Sequence, residues 1–193
     1  MKEDILEQLV DDYLKSNGYF TLHNVKFQPE RGGPGYIQKD DCVASDIDVL
    51  GFHPLRTGIE QTWVVSCKSW QAGFNPISRI TAIERNKVIS GREAWQGFRE
   101  LVKKKWADGL IAKIESLTGS PKFTHVTAVT KLKGDAKAWQ EYPLFKNNLR
   151  GNPIKILTLE KMLSDLYKNI NKAIASSEVG RLLQVIKASG WKP

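Results

Sequence analysis

Cysteine and histidine are scarce in this chain: two cysteines, Cys42 and Cys67, and three scattered histidines, His23, His53 and His125. Two cysteines cannot build a disulfide framework, and a reducing compartment is the simpler setting. No histidine pair has metal-ligand spacing, which argues against a zinc site. Long apolar runs are missing as well. Nothing approaches the ~18 residues that a membrane span requires, and the acidic, amphipathic N-terminus has no apolar core of the signal-peptide kind. The expected setting is therefore the cytoplasm, with no membrane partner. Internal repeats and low-complexity segments are also lacking. The one Gly-rich stretch, Arg31-Gly-Gly-Pro-Gly35, has no Gly-Lys-Ser/Thr ending at a helix start, so it is not a P-loop. It reads as a basic loop beside a substrate groove or as a plain surface loop.

What is present is ordinary globular material. The chain has 193 residues, 41% hydrophobic and 26% charged, enough for one domain with a sizeable core. Residues 1–172 are expected to form that domain and residues 173–193 a C-terminal helical extension. The net charge of +8 and a pI near 9.4 are compatible with a nucleic-acid partner or with solubility alone.

Apolar spacing divides the chain into elements. Ile5, Leu6, Leu9, Val10, Tyr13 and Leu14 form a helical stripe over 3–16, stopped by Asn17-Gly18, with Glu7 on its flank and Glu3 as the alternative there. Strands follow at 19–27, Ser45–Phe52 and Thr62–Ser69. Helices are expected at 77–90 and at 92–117, the latter weakened by Gly109. A strand is expected over Phe123–Leu132, then a short helix capped by Asp135 and ending at or before Pro143. A strand at Ile154–Leu157 leads into a helix capped by Thr158 and reaching about Ile170. A last helix spans 176–189. This order predicts an α/β (α+β) fold: a central mixed sheet flanked by helices.

The chemistry concentrates in the second and third strands. Residues two apart share a strand face, so Asp46 and Asp48 point one way, as do Ser66 and Lys68. Pairing of the two strands brings carboxylates and an amine to one sheet edge. Phosphodiester hydrolysis needs a metal to neutralise developing charge, a placed water and a basic group. Magnesium takes hard oxygen ligands and commonly only one or two carboxylates. Asp48 and the backbone carbonyl of Cys67 are candidate ligands, and Lys68 faces the same point.

This ordered set resembles the PD-(D/E)xK, or restriction-endonuclease-like, nuclease superfamily, in particular its Mrr-type restriction enzymes and Holliday-junction-resolvase-like branch. The likeness is carried by Glu7 in Ile5-Leu-Glu-Gln-Leu9, with Tyr13-Leu14 and Gly18-Tyr19 after it. Asp48 in Ser45-Asp-Ile-Asp-Val-Leu50 and Lys68 in Val64-Val-Ser-Cys-Lys-Ser69 complete it. It covers residues 3–70 well, and Ile156-Leu-Thr-Leu-Glu-Lys161 fits the family's continuation more loosely. The resemblance implies a restriction-endonuclease-like core and an Mg2+-dependent DNA endonuclease, with Mn2+ as a substitute metal, acting in restriction, phage defence, recombination or repair. It implies Asp48, Ser66, Lys68 and Glu7 as the catalytic positions, Asp48, Asp46 and the Cys67 carbonyl as metal ligands, and a homodimer as a common assembly.

One position departs from the pattern. Ser66 stands where the family places Glu, Asp or Gln, and a neutral hydroxyl is a poor magnesium ligand. Either the second acid comes from elsewhere (Asp46, Glu84 or Glu93), or the chain binds nucleic acid without cutting it, or Ser66 is an introduced change. Arg31, Trp70, Arg99, Lys103, Lys104 and Lys105 are candidate nucleic-acid contacts. The alternatives are a Trp70 packed into the groove wall and a solvated basic helix face. Trp95 and Trp106 are expected in the core.

Overall fold

Strand Thr62–Lys68 has hydrogen-bonded neighbours on both edges, and the rest of the chain is layered around it. The computed structural model describes residues 4–169 and 177–191. Glu3 and the end of the helix expected near Ile170 lie outside them.

Helix α1 (Ile5–Ser16) starts at Asp4, whose carboxylate caps the Leu6 N–H at 2.8 Å. Strand β1 (Phe20–Phe27) follows, then a short helix α2 (Gln38–Asp41) inside the Gly-rich loop, then β2 (Ser45–Phe52) and β3 (Thr62–Lys68). Helix α3 (Pro76–Glu84) leads to a small hairpin, β4 (Val88–Ile89) and β5 (Arg92–Glu93), and a 3-10 turn, Ala94–Phe98. Helices α4 (Arg99–Val102) and α5 (Lys104–Thr118), strand β6 (Thr124–Val129), helices α6 (Lys137–Gln140) and α7 (Pro143–Asn148), strand β7 (Ile154–Thr158), α8 (Leu159–Asn169) and α9 (Glu178–Ala188) complete the chain. The sheet order is β1-β2-β3-β6-β7, with β1-β2-β3 antiparallel and β3-β6-β7 parallel. This is the expected α/β class, a five-stranded mixed sheet between helices.

Strand alternation sorts the core onto two faces. Val49, Val65, Val126 and Ala128 pack with α1 (Leu6, Leu9, Val10, Leu14), with Met162 and Leu166 of α8, and with Val179 and Leu183 of α9. Ser177 donates a hydrogen bond to Asp12, so α9 is anchored on α1. Leu50, Val64 and Val129 face the other layer, built from Phe74, Phe98, Leu101, Trp106, Leu110, Trp139 and Phe145. β6 is buried along its whole length, as a strand covered on both faces must be.

Several elements differ from the sequence pattern for local reasons. Ile5, assigned to the apolar stripe of α1, is 65% exposed. The helix expected over 77–90 stops at Glu84, because Asn86 takes a positive φ and Ser90-Gly91 (φ 52° and 78°) closes a tight hairpin. The helix expected over 92–117 breaks at Lys103, which is extended. Phe98 and Leu101 are buried, but the next inward residues are Trp106 and Ala107. A continuous helix would have put Lys105 on that face instead, and the break resets the phase. Helix α6 ends before Pro143, as expected, while Pro143 opens a further helix from its N1 position. Thr158 accepts from the Lys161 N–H, the capping role expected of it, whereas the N-cap of α6 is Ala136 and Asp135, one residue before it, accepts from the Lys137 N–H.

The loop between β1 and β2 is fastened to α5. Asp41 is 1% exposed. It accepts from Lys105 Nζ at 2.6 Å, from Trp106 Nε1 at 3.1 Å and from the Ile37 N–H at 2.7 Å. Lys105 also donates to the Gly35 carbonyl. Gly109 is required here, since a Cβ would stand 2.3 Å from the Gln28 carbonyl oxygen. Burial works to raise the Asp41 carboxyl, but the hydrogen bonds from Lys105 and Ile37 outweigh it and hold the group below the usual range. The Asp41 contribution is thus present above the ordinary carboxylate range and lost as pH falls through the lowered folded value. Asp41→Ala is expected to cost about 3 kcal/mol in urea unfolding at neutral pH, because it leaves Lys105 without its carboxylate and the Trp106 N–H unpaired. The difference from wild type should shrink as the titrations are repeated at successively lower pH.

Candidate functional site

The β-ladder lapses around Asp48 on both sides. Toward β3, paired residues run from Phe52↔Thr62 to Val49↔Val65 and stop there. Toward β1, His23↔Val49 and Val25↔Ile47 are paired, while Asn24, between them, takes φ 52°. Asparagine tolerates that left-handed conformation better than most residues. Past the last β2–β3 rung, Asp48 Oδ2 accepts from the Cys67 N–H at 2.5 Å, a side chain taking the place of a ladder carbonyl. In an extended strand a residue's N–H and C=O leave on the same edge. The Cys67 carbonyl is therefore also turned toward the opening between β2 and β3.

Ser66 and Lys68 share the β3 face of Val64, over the aromatic layer. Lys68 Nζ donates to Ser66 Oγ at 2.8 Å and stands 5.3 Å from the centre of the Phe98 ring. Burial raises the Asp48 carboxyl, the Lys68 ammonium and the Cys67 N–H oppose it, and the charges of Asp46 and Glu100 add to it. The net direction is upward. Asp48 is thus a partly buried carboxylate whose environment does not compensate its charge. Such a group suits a ligand or proton-handling role better than a purely structural one.

Glu100, on α4, is the residue that the sequence pattern did not single out. It is 7% exposed, and its Oε1 lies 3.4 Å from Nε2 of the buried His125. Burial tends to raise it, but His125 and Lys68 outweigh burial and hold it below the usual range. Its charge bears on Asp48 and it feels that of Lys68, so Asp48, Lys68 and Glu100 act on one another across the end of the sheet. No periodicity marks Glu100, because its inward direction depends on the turn before α4 and the break after it. The second acids proposed from sequence are engaged elsewhere. Asp46 pairs with Lys26 of β1 at 2.7 Å, Glu84 accepts from the Tyr142 hydroxyl, and Glu93 accepts from Trp95 Nε1.

Glu7 comes from the other face. It lies in the first turn of α1, and its charge bears on the Cys67 thiol, which burial, Asp48 and Glu7 push upward. Ser69 donates to Asp4 at 2.5 Å, which ties the start of α1 to the residue after Lys68. The sheet therefore separates Glu7 from Asp48, Ser66 and Lys68, although all four converge on the same end of β3.

The candidate nucleic-acid residues are dispersed. Trp70 stacks on Phe74 at 6.0 Å, edges against Phe98, and carries the Arg79 guanidinium 3.9 Å over its ring. Its ring and the Lys68 ammonium both lie against Phe98. Arg99 folds over Trp106 and Lys103 over Trp95, Lys104 pairs with Asp108, and Lys105 belongs to the Asp41 anchor. Arg31 is exposed at the tip of the Gly-rich loop. Trp106 is in the core as expected, and Trp95 is half-buried against it.

Among the described residues, no group of three or more His, Cys, Asp or Glu side chains stands ready to hold a metal. Hard oxygen donors of the kind magnesium uses are nevertheless near by, in the carboxylates of Asp48 and Glu100 and a Cys67 carbonyl turned to the opening. The upward pressure on Asp48 is the imbalance that a cation would relieve. No protein-family model, curated protein or solved structure matches the chain.

The direction at Asp48 predicts a stability effect. A carboxyl raised in the folded state binds more protons there than in the unfolded chain, so its ionisation subtracts stability as pH rises through that interval. Asp48→Asn keeps an acceptor for the Cys67 N–H and cannot ionise. The variant is expected to melt above wild type at neutral pH, with the gap closing as pH falls toward the ordinary carboxylate range, as followed by thermal unfolding at a series of pH values.

Proposed function

We propose that the protein is a metal-dependent DNA endonuclease with a restriction-endonuclease-like core. The observation that carries this reading is the Asp48 carboxylate taking the Cys67 N–H where β2 and β3 part, with Lys68 on the same sheet face and Glu100 near enough for its charge to bear on Asp48 and to feel that of Lys68. Asp48 and Glu100 are the residues that would hold Mg2+, with Mn2+ as a substitute. When bound, such an ion supplies charge neutralisation for the scissile phosphate and a more acidic water.

The side chains have separable tasks. Lys68 presents an ammonium to the phosphate oxygen or to the attacking water. Ser66 holds that ammonium in place through its hydroxyl. Glu100 supplies the carboxylate that Ser66 cannot, and His125 holds Glu100 from behind. Glu7 acts from the opposite face, through its charge at Cys67. Trp70 and Phe98 shield one side of Lys68 from bulk water. A second reading, a module on the same fold that binds DNA without cutting it, is favoured by the neutral Ser66 at the family's second-acid position.

The test is nicking of supercoiled plasmid with Mg2+ or Mn2+. Asp48→Ala and Lys68→Ala are expected to lower the rate by about a hundredfold or more with the fold intact. Glu100→Gln should do the same and Glu93→Gln should not. Unchanged cleavage in the Asp48 and Lys68 variants overturns the assignment. An inactive wild type that gains activity as Ser66→Glu supports the second reading.

A further inference from the structure

The hairpin β4–β5 is a part of the molecule that the proposed site leaves unused. Every residue from Arg85 to Arg92 is exposed. The apolar Val88 and Ile89 are 67% and 39% exposed. Among the described residues, no hydrogen bond, ion pair or ring contact engages the side chains of Arg85, Lys87 or Arg92. This contrasts with Arg99 and Lys103–Lys105, all of which are engaged. A two-stranded ribbon of this length is marginal by itself in water, and exposing β-branched residues at its end adds to the cost. Such a surface calls for a partner.

The register gives the ribbon two unlike faces. Val88 is opposite Glu93, and Ile89 is opposite Arg92. Strand alternation places Lys87 beside Ile89, so one face carries Lys87, Ile89 and Arg92. Glu93 belongs to the other face and is turned to Trp95 Nε1 at 2.8 Å. The nearby Glu84 is held by Tyr142 at 2.8 Å. One face therefore joins two free cations across an apolar side chain, with the neighbouring carboxylates directed back to the body of the protein.

The hairpin also stands close to the site. Its second strand runs directly into the turn Ala94–Phe98, whose Phe98 ring lies 5.3 Å from Lys68 Nζ. Five residues at ~2 Å rise separate them, on the order of 10 Å, or about three base pairs of duplex.

We propose that the Lys87–Ile89–Arg92 face of this hairpin enters a groove of double-stranded DNA, its cations on the phosphates and Ile89 against sugar or base edges, and so sets the duplex in register with Lys68. A two-stranded ribbon fits the major groove of B-form DNA, whereas the deep, narrow major groove of an RNA helix does not admit it. The inference rests on the DNA-binding part of the proposed function and is independent of cleavage.

The experiment is a fluorescence-anisotropy titration of a labelled duplex, with EDTA present so that no cutting occurs, over a range of salt concentrations. Lys87→Ser/Arg92→Ser is expected to weaken binding about tenfold at moderate salt and to lower the salt slope by about two. Ile89→Ser should weaken binding without changing the slope. A charge-matched control, Lys122→Ser/Lys168→Ser, removes exposed lysines placed before β6 and on α8, away from the hairpin, and should retain both affinity and slope. Circular dichroism of each variant should match wild type, since among the described residues none of the substituted side chains makes a hydrogen bond, an ion pair or a ring contact. Hairpin variants that bind like wild type, or a control that loses as much, overturn the hairpin assignment while leaving DNA binding in place. An RNA duplex bound as tightly as DNA overturns the groove fit. A wild type that binds no duplex overturns the proposed function as well.

Discussion

Strand β3 is hydrogen-bonded to β2 along one edge and to β6 along the other, and both of its faces are covered. A strand in that position can carry polar side chains only where a neighbour ends or turns away. β2 lets go after Val49↔Val65, and the next residues of β3 are Ser66, Cys67 and Lys68. Asp48 then fills the vacated hydrogen bond to the Cys67 N–H. The site is thus a consequence of where one ladder stops. Shifting β3 by one residue would send Ser66 and Lys68 into the apolar layer of α1 and Cys67 into the aromatic layer.

Three buried or partly buried carboxylates show how environment separates structure from chemistry. Asp41 receives three donors and is held below its ordinary range. It fastens a loop and has no capacity left. Glu100 is likewise held down, but by two groups, His125 and Lys68, that belong to the site. Of these three, it is Asp48 that moves upward, because Lys68 and one backbone N–H do not outweigh burial and two neighbouring acids. An uncompensated carboxylate costs stability, and this one stands in the field of the Lys68 ammonium and of a second acid, Glu100.

The aromatic layer links this site to the surface. Phe74, Phe98 and Trp139 pack edge to face at 4.8–6.1 Å between centres. Phe98 carries the Lys68 ammonium, and Trp70 extends the cluster to Arg79. Phe98 is also the last residue of the turn that follows the exposed hairpin. Phe98 thus joins the packed aromatic layer beneath the site to the chain that leaves the hairpin.

Much of the fold was legible in the order of residues. The strand Ser45–Phe52, the strand expected over Thr62–Ser69 and found one residue shorter, the Thr158 cap, and the shared faces of Asp46 with Asp48 and Ser66 with Lys68 follow from alternation and turn chemistry, which are local. Elements whose ends depend on a partner were not legible. The break at Lys103 exists because Trp106 and Ala107, rather than Lys105, must meet the core. The role of Gly109 is visible only once the Gln28 carbonyl lies against it. Glu100 became a candidate second acid, and Lys105 an anchor for Asp41, only when packing brought together residues far apart in the chain. Sequence by itself determined which residues share a strand or helix face, because backbone geometry fixes the period. Which faces meet, and so which charges act on one another, was decided by the tertiary structure alone, because Coulomb forces and burial follow distance in space and not position in the chain.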